Sequence, residues 1–297
     1  MSGFSASPNA LFETRVNAVR AISPGFVRLT FTGPQLAVFA PKGTDQRIKV
    51  LVPSRHGYPS VFDPEEEPVH EPRWRARWHR LPAAQRPAMR SYTACATRPG
   101  AQELDLDFFV HDTPGPASSW ASAARVGERV LLSGPDIRRG KPSHGIGWQP
   151  GPVTGVLLAG DETAIPAMRG ILTSLGPTVH GHALVEVAEP ADLTDLATRH
   201  PGVTLSVCDR GDAAGGSALR PALEHWARTQ GRHAAERGAS FYAWIATEST
   251  QVAQARGVLT TIGIAPERMH AQGYWNARPR RSTHTSRLRS LPADRVG

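Results

Sequence analysis

Apolar and polar residues alternate with a period of two through the first half of the chain. Val27, Leu29 and Phe31 fall on one face of an extended segment, and the alternation is clearest through residues 103–111. Such alternation is typical of half-buried strands, and short strands separated by glycine and proline favour an antiparallel barrel. We therefore predict an antiparallel β-barrel domain over residues 1–140.

The pattern changes after residue 150. Residues 153–159 form a mostly apolar run, as expected for a strand buried in a parallel sheet. Apolar residues then recur at helical spacing, namely Ile165, Met168, Ile171, Leu172 and Leu175. Further strands are predicted at 183–187, 203–207 and 241–246, with helices near 219–229 and 251–262. This alternation predicts a doubly wound α/β domain over residues 150–277.

Three polar segments fall outside these elements. Residues 138–145 are rich in glycine, proline and basic side chains, and we interpret them as a linker or surface loop. Residues 62–72 carry five acidic side chains, which predicts a solvated insertion. Residues 278–297 form a basic C-terminal tail with six arginines and one acid.

Composition narrows the possible functions. The 297 residues suffice for two domains, and no segment approaches the roughly 20 apolar residues of a membrane-spanning helix. The polar start lacks a signal-peptide pattern, so we expect a cytoplasmic protein without membrane contact. The net charge of +8 favours anionic ligands, but no nucleic-acid-binding motif accompanies it. Cys95 and Cys208 are too far apart for a close-spaced metal motif, so we expect no metal ligands in the protein.

Candidate chemistry begins with the consecutive residues Arg90, Ser91, Tyr92 and Thr93. A guanidinium group binds two phosphate oxygens at once, and an aromatic face suits a flat ring. A predicted helix start follows, with the residues Gly115, Pro116, Ala117, Ser118, Ser119 and Trp120. Free N–H groups at a helix start suit a pyrophosphate. The two motifs together suit a flavin dinucleotide, although an ordinary strand and a simple helix cap would also explain them.

In the second half, Asp161 and Thr163 follow the buried strand where doubly wound sheets bind nucleotides. The segment is not G-x-G-x-x-G, and both residues could equally be helix caps. Glu186 and Glu189 lie at the end of the next strand. An acid there favours ribose hydroxyls and repels a 2′-phosphate, which leans towards NADH over NADPH.

Several motifs in this order resemble the siderophore-interacting proteins, cytoplasmic ferric-siderophore reductases of the ferredoxin-reductase superfamily. The motifs are residues 45–53, 74–78, 89–93, 107–111, 115–121, 158–167 and 273–275. The resemblance implies FAD as cofactor, a ferric siderophore as substrate and a monomer. It implies that NADH, NADPH or a ferredoxin supplies the electrons and that the metal belongs to the substrate.

The resemblance also implies roles for individual residues. Arg90 would contact the flavin phosphate, Tyr92 would pack on the isoalloxazine ring, and Thr93 would bond its polar edge. His111 resembles the flavin-side histidine of the family, and Lys49 matches a lysine implicated there in binding the substrate.

Two departures from the family pattern affect the site. Cys95 stands where relatives commonly have arginine. Either another cation compensates, with Arg138 and Arg139 as substrate-binding candidates and Arg98 and the tail as further ones, or the preferred chelate is less anionic. Thr247 replaces a glycine and could crowd a nicotinamide. Two alternatives stay open, namely a flavin-linked reductase for a protein acceptor and a non-enzymatic siderophore-binding protein.

Overall fold

The structure is a computed structural model that describes residues 7–40, 43–54, 56–110, 114–139 and 144–277. His111 and the tail 278–297 therefore lie outside the described residues. Among the helices of the described ranges, none is both long and apolar enough to cross a membrane.

The first half forms an antiparallel barrel, as predicted. Its strands are β1 Asn9–Ser23, β2 Phe26–Thr32, β3 Arg47–Val52, β4 Val69–His70, β5 Ala88–Arg98, β6 Glu103–Phe109 and β7 Arg129–Pro135. They are ordered β2-β6-β5-β3-β7-β1, and β1 also pairs with β2, which closes the ring. The short strand β4 attaches to β1. Two helices belong to this half, α1 Glu71–Arg80 and α2 Pro116–Ala123.

Alternation along β6 places Leu104, Leu106 and Phe108 in the barrel core, as the sequence predicts. The opposite face is also covered, because Asp105 and Asp107 are buried and ion-paired. A period of two identified the faces but not what covers the second one.

The segment 62–72 is solvated in part, because Asp63, Glu66 and Glu67 are exposed, but it also carries buried residues. Phe62 and Trp74 are buried in a cluster on the outer face of the barrel. Glu65 forms ion pairs with Arg73 and Arg77 of α1, which offsets the acidity that suggested exposure. The segment leads into a helix that packs on the barrel.

The second half is a parallel sheet with helices on both faces, which confirms the predicted doubly wound class. Its strands are β8 Gly155–Gly160, β9 His180–Val187, β10 Val203–Asp209, β11 Phe241–Glu248 and β12 Met269–Trp275, in the order β10-β9-β8-β11-β12. Its helices are α3 Ile165–Ser174, α4 Leu219–Glu236 and α5 Ser249–Thr261. Leu158 packs in the core with α3, whereas its neighbour Leu157 packs in the core with α4 and α5.

Buried polar contacts join the two halves. Asp107 of β6 accepts hydrogen bonds from Arg28 of β2 at 2.6 and 2.8 Å and from Arg169 of α3 at 2.7 Å. Asp45, just before β3, accepts a bond from the indole N–H of Trp244 in β11 at 2.8 Å. We propose that the domain boundary lies between β7 and β8. These contacts connect the two domains across it.

Backbone packing also holds the halves together. Gly170 of α3 lies so close to the barrel that an added Cβ would be 2.4 Å from the carbonyl oxygen of Thr44. A hydrogen atom is all that fits at this position, so the approach of α3 depends on glycine.

Candidate functional site

A cleft of about 260 Å³ lies where the barrel meets the α/β sheet. Its lining comes from both halves, namely Phe26, Arg47, Arg90, Ser91, Tyr92, Thr93, Asp107, Phe109, Gly115, Ala117, Ser118, Thr163, Pro166, Gly273, Tyr274 and Trp275. The cleft therefore brings together the two motifs of the barrel and the carboxyl ends of the parallel strands.

Strand β5 supplies the first wall. Arg90 is exposed, its guanidinium group donates to the carbonyl of Met89 at 2.9 Å, and it has no ion-pair partner within the described ranges. Thr93 is buried and lies opposite Arg47 of β3. The donor fork of Arg90 is thus available to an anion at one end of the wall.

Tyr92 is anchored by aromatic packing. Its ring centroid lies 4.2 Å from that of Phe108, and the same ring lines the cleft. Burial raises the pKa of the Tyr92 phenol, and the charge of Arg90 opposes the shift. The ring is therefore a neutral, fixed surface on which a flat group can pack.

Helix α2 brings part of the second motif to the cleft. Gly115, Ala117 and Ser118 line the cleft, and among the described residues no side chain caps the helix start at Gly115. The Ser118 hydroxyl differs from expectation, because it donates to the carbonyl of Phe109 at 3.1 Å rather than standing free for a phosphate. Backbone N–H groups are then the donors that this helix start offers.

The other residues of the motif do not line the cleft. Trp120 donates its indole N–H to Glu128 at 2.7 Å and packs on Phe108, while Pro116 and Ser119 are exposed. Their predicted contact with the cofactor therefore has no support in the lining, and that of His111 falls outside the described residues.

Strand β12 forms the second wall, which sequence reasoning did not assign to the site. Tyr274 and Trp275 line the same cleft as Tyr92 and Thr93 of the first wall. Burial raises the pKa of Tyr274. The sequence signal was the motif 273–275, but only the fold brings this motif into the same cleft as Thr93.

Asp161 and Thr163 have different positions relative to the cleft. Thr163 lines it, whereas Asp161 is 1% exposed and accepts bonds from Thr163, Thr247 and Trp275. The Asp161 carboxylate is thus occupied by the protein itself. The alternative that it caps a helix is correct, because it caps the short 3-10 helix that precedes α3.

Glu186 is not available to read a ribose. It is fully buried and accepts bonds from the backbone N–H groups of Ala218 and Leu219 at 2.7 Å each. It also accepts from Gly216, so its oxygens serve the start of α4. Glu189 is exposed and caps a short helix through the N–H of Ala191 at 3.0 Å. The expected preference for NADH over NADPH relied on these two acids, so it loses its main support.

Thr247 does not crowd the cleft, contrary to the sequence expectation. Its side chain is fully buried and donates to Asp161 at 2.8 Å. Because the Thr247 side chain points into the protein, a threonine in place of the glycine of relatives adds a hydrogen bond to Asp161 and does not obstruct the cleft.

Of the three predicted substrate-binding cations, Lys49 lies beside the cleft. Its ammonium group contacts the hydroxyl of Ser91, a lining residue, at 2.5 Å. Burial lowers the pKa of Lys49, and the positive charges of Arg47 and Arg75 lower it further. The neighbouring Arg47 was missed, although it lies two residues before Lys49 and so on the same face of β3.

Arg138 and Arg139 are placed elsewhere. Arg138 forms ion pairs with Asp136 at 2.8 Å and Glu67 at 2.9 Å, and neither arginine belongs to the cleft lining given above. Compensation for Cys95 by Arg138 therefore has no structural support, because two acids already neutralise that charge.

Cys95 lies at a bulge of β5, between the paired residues Ala94 and Ala96. Burial raises the pKa of its thiol, as does the nearby Asp107, and Arg28 and Arg169 partly oppose the shift. Two cations therefore lie near Cys95, both of them paired with Asp107.

The cleft fits a flat, phosphate-bearing cofactor. Arg47 and Arg90 have no acid partner among the described residues, whereas the lining acid Asp107 is paired twice. The cleft also contains the rings of Tyr92 and Tyr274 and the start of α2, which no side chain of the described ranges caps. Unpaired cations and backbone donors suit a pyrophosphate, and aromatic faces suit a flavin ring.

Two family models together match most of the chain. The model of the siderophore-interacting FAD-binding domain matches residues 15–139. The model of the siderophore-interacting protein matches residues 153–278.

Individual relatives agree with the family models. An uncharacterized protein of Mycobacterium tuberculosis is 32% identical over 183 residues, which are 61% of this chain and 59% of that protein. The ferric vibriobactin reductase ViuB of Vibrio cholerae is 28% identical over 257 residues, 86% of this chain and 85% of that one. The chain thus spans about 59% of the length of the mycobacterial relative.

Solved structures share the fold. The siderophore-interacting protein SipS of Aeromonas hydrophila is 25% identical with a TM-score of 0.67 over 91% of this chain and 93% of that chain. A ferredoxin NADP+ reductase of Neisseria gonorrhoeae with bound FAD and NADP is 13% identical, with a TM-score of 0.55 over 90% of this chain and 99% of that chain. The fold is therefore of the ferredoxin-reductase type.

Proposed function

The chain belongs to the siderophore-interacting protein family and carries its FAD-binding domain, and from this premise we propose that it reduces ferric iron bound to a siderophore. We propose further that it acts as a cytoplasmic monomer and that the product is released ferrous iron. The observation that carries the proposal is the single cleft that joins the residues 90–93 to the carboxyl ends of the parallel sheet.

The barrel side of the cleft would hold the FAD. Arg90 would bind the pyrophosphate together with the N–H groups at the start of α2, and Tyr92 would pack against the ring. Thr93 would hydrogen-bond the polar edge of the ring, because it lines the cleft next to Tyr92. Bound FAD supplies the conversion between two-electron and one-electron transfer.

Reduction weakens the hold of a siderophore on its iron. Fe³⁺ is a hard ion that charged oxygen donors bind strongly, and Fe²⁺ has less charge and prefers softer ligands. The chain's task is then to hold an anionic chelate beside the flavin edge. Lys49 and Arg47 lie side by side on the strand next to Ser91 and Thr93, which favours this location.

The electron donor would approach the carboxyl ends of β8 and β12. Doubly wound sheets bind nucleotides at this edge, and Thr163 and Trp275 line the cleft there. The NADP of the gonococcal reductase supports a reduced nicotinamide as donor. The internal use of Glu186 leaves NADH and NADPH equally eligible, and a ferredoxin is the alternative donor.

The test is the visible spectrum of the purified protein, followed by anaerobic titration. We expect flavin absorption, bleaching by NADH or NADPH, and rapid recovery when a ferric siderophore is added, with Fe²⁺ trapped by a chromogenic chelator. The same titration with the apoprotein is the control.

Two outcomes would contradict the proposal. Flavin that is reduced but not reoxidised by any ferric chelate would indicate a reductase for a protein acceptor. Tight chelate binding by a protein that takes up no FAD would indicate a siderophore-binding protein.

A further inference from the structure

The carboxylate of Asp161 joins three chain segments behind the cleft, namely residues 161–163, the end of β11 and the end of β12. One oxygen, Oδ1, accepts from the backbone N–H of Thr163 at 2.9 Å and from its hydroxyl at 2.5 Å. The other, Oδ2, accepts from the Thr247 hydroxyl at 2.8 Å and from the Trp275 indole N–H at 2.7 Å. A carboxylate offers about four acceptor sites, so the protein occupies all of them.

The charge of this carboxylate is compensated by neutral donors. Asp161 is 1% exposed and forms no ion pair with any residue of the described ranges. A buried carboxylate without a cation is costly unless its oxygens are hydrogen-bonded. Each of the four bonds is therefore difficult to replace, and the geometry around Asp161 is strongly constrained.

Trp275 is the one member of this group whose ring forms part of the second wall. Besides its bond to Asp161, the ring packs against Gly215, where an added Cβ would be 3.0 Å from it. The backbone carbonyl of Trp275 accepts from the Ser249 hydroxyl at 3.1 Å. The indole is thus held at its N–H, at its backbone and on its edge, while it lines the cleft.

We propose that Asp161 is a positioning residue that fixes the orientation of the Trp275 indole and thereby preorganises the second wall of the cleft for the flavin. Thr247 contributes to this arrangement, because its hydroxyl donates to Oδ2 of Asp161, the oxygen that also accepts from Trp275. The proposal rests on the flavin site proposed above. It assigns Asp161 no contact with the cofactor.

Loss of the contact should weaken FAD binding by freeing the wall. A hydrogen bond to a charged group favours one indole orientation over others by about tenfold or more. If the cleft binds FAD only when the indole is oriented, apparent affinity falls with the oriented fraction. We therefore expect Asp161→Asn and Trp275→Phe each to raise the Kd for FAD about tenfold.

The first readout does not use the cofactor. The chain has seven tryptophans, and Trp275→Phe identifies the indole N–H signal of Trp275 in a ¹H–¹⁵N spectrum of the apoprotein. We expect Asp161→Asn to move this signal and to speed its exchange with D₂O at least tenfold. Thr247→Val should cause a smaller change of the same kind, and Thr247→Ser, which keeps the donor, should not.

The second readout is FAD affinity, measured by quenching of flavin fluorescence, together with the visible circular dichroism of the bound flavin. Trp78→Phe is the matched control, because its indole N–H donates to the Pro87 carbonyl at 3.0 Å away from the cleft lining. Asp192→Asn is the matched acid, since its carboxylate accepts the N–H of Gly25 at 2.8 Å. Both controls should leave the Trp275 signal and the flavin dichroism unchanged.

The outcomes separate the two proposals. An unchanged Trp275 signal in folded Asp161→Asn, or an FAD affinity within twofold of the wild type in Trp275→Phe, would overturn the role of Asp161. If the wild-type protein binds no FAD, both the proposed flavin site and its preorganisation by Trp275 are contradicted. The indole signal of the apoprotein would still show whether Asp161 orients Trp275.

Discussion

Asp107 carries the largest predicted effect on stability, because one buried carboxylate neutralises cations from both halves. Its side chain is 0% exposed, and those of Arg28 and Arg169 are 22% and 12% exposed. The hydrogen bond to Asp107 raises the pKa of Arg28, and burial acts in the opposite direction. The Asp107→Asn variant keeps the shape of the side chain and removes the charge.

The magnitude follows from the two guanidinium groups that would be left without their anion. Breaking a buried ion pair by removal of one partner costs about 3–5 kcal/mol. Both arginines retain some solvent contact and Arg169 keeps Asp195 at 2.8 Å, so we expect about 3 kcal/mol. A loss of that size lowers Tm by about 6–12 °C in a domain of 150–250 residues.

The assay is thermal and urea unfolding of the apoprotein, which separates stability from any loss of FAD, since Asp107 also lines the cleft. Asp195→Asn is the control, because its side chain is 46% exposed and its ion pairs should contribute at most about 1 kcal/mol. A free energy of unfolding that falls by less than about 1 kcal/mol in Asp107→Asn would show that the two arginines do not depend on this carboxylate. An equal loss in both variants would do the same.

Three further predictions test other parts of the structure. Arg90→Gln should raise the Kd for FAD at least tenfold at low salt, because it removes the fork proposed for the pyrophosphate, and Arg80→Gln, an exposed arginine of α1, should leave it within twofold. Affinity for an anionic ferric chelate should fall as pH rises through the lowered pKa of Lys49, because the ammonium group then loses its charge. In Lys49→Arg the affinity should no longer fall below pH 10.5, and an unchanged loss of affinity in that variant would exclude Lys49 as the titrating group. Gly170→Ala should lower the free energy of unfolding by about 1–3 kcal/mol, because the added Cβ would clash with Thr44. Gly257 lies on an exposed face of α5 with open space around it, so Gly257→Ala should not destabilise the protein. Calorimetry compares the two variants, and equal stability would contradict the close approach of α3 to the barrel.

Local patterns identified many elements because their periodicity is set by one buried face. The alternation in β6 and the apolar run of β8 correspond to strands at those places. Helix α1 was missed, since its buried Trp74 is surrounded by arginines and the preceding acids suggested solvent. Its burial depends on an outer face of the barrel that comes from other strands.

The first wall of the site was predicted for the same local reason. The residues 90–93 are consecutive on one strand, so the sequence alone indicates that the cation of Arg90, the ring of Tyr92 and the hydroxyl of Thr93 lie close together. The second wall could not be predicted in this way, because Tyr274 is 181 positions after Thr93 and the two residues share a cleft only in the folded chain.

Acids at strand ends were the least predictable residues. Glu186 and Asp161 both follow the pattern of nucleotide-binding acids, yet their oxygens accept bonds from residues distant in sequence. The donors that reach a carboxylate depend on which loops pack against it, and the sequence does not state this.

By itself, the sequence determined the antiparallel barrel, the doubly wound sheet and the barrel-side motifs, because each depends on residues close together in the chain. The tertiary structure alone decided how the halves meet, through Asp107 and Asp45, and which polar groups remain free in the cleft. A buried polar group must find a hydrogen-bond partner, and most of these partners come from elsewhere in the chain. Arg47 and Arg90 therefore remain available to anions at the cleft, while Glu186, Arg138 and Asp161 are occupied by the protein.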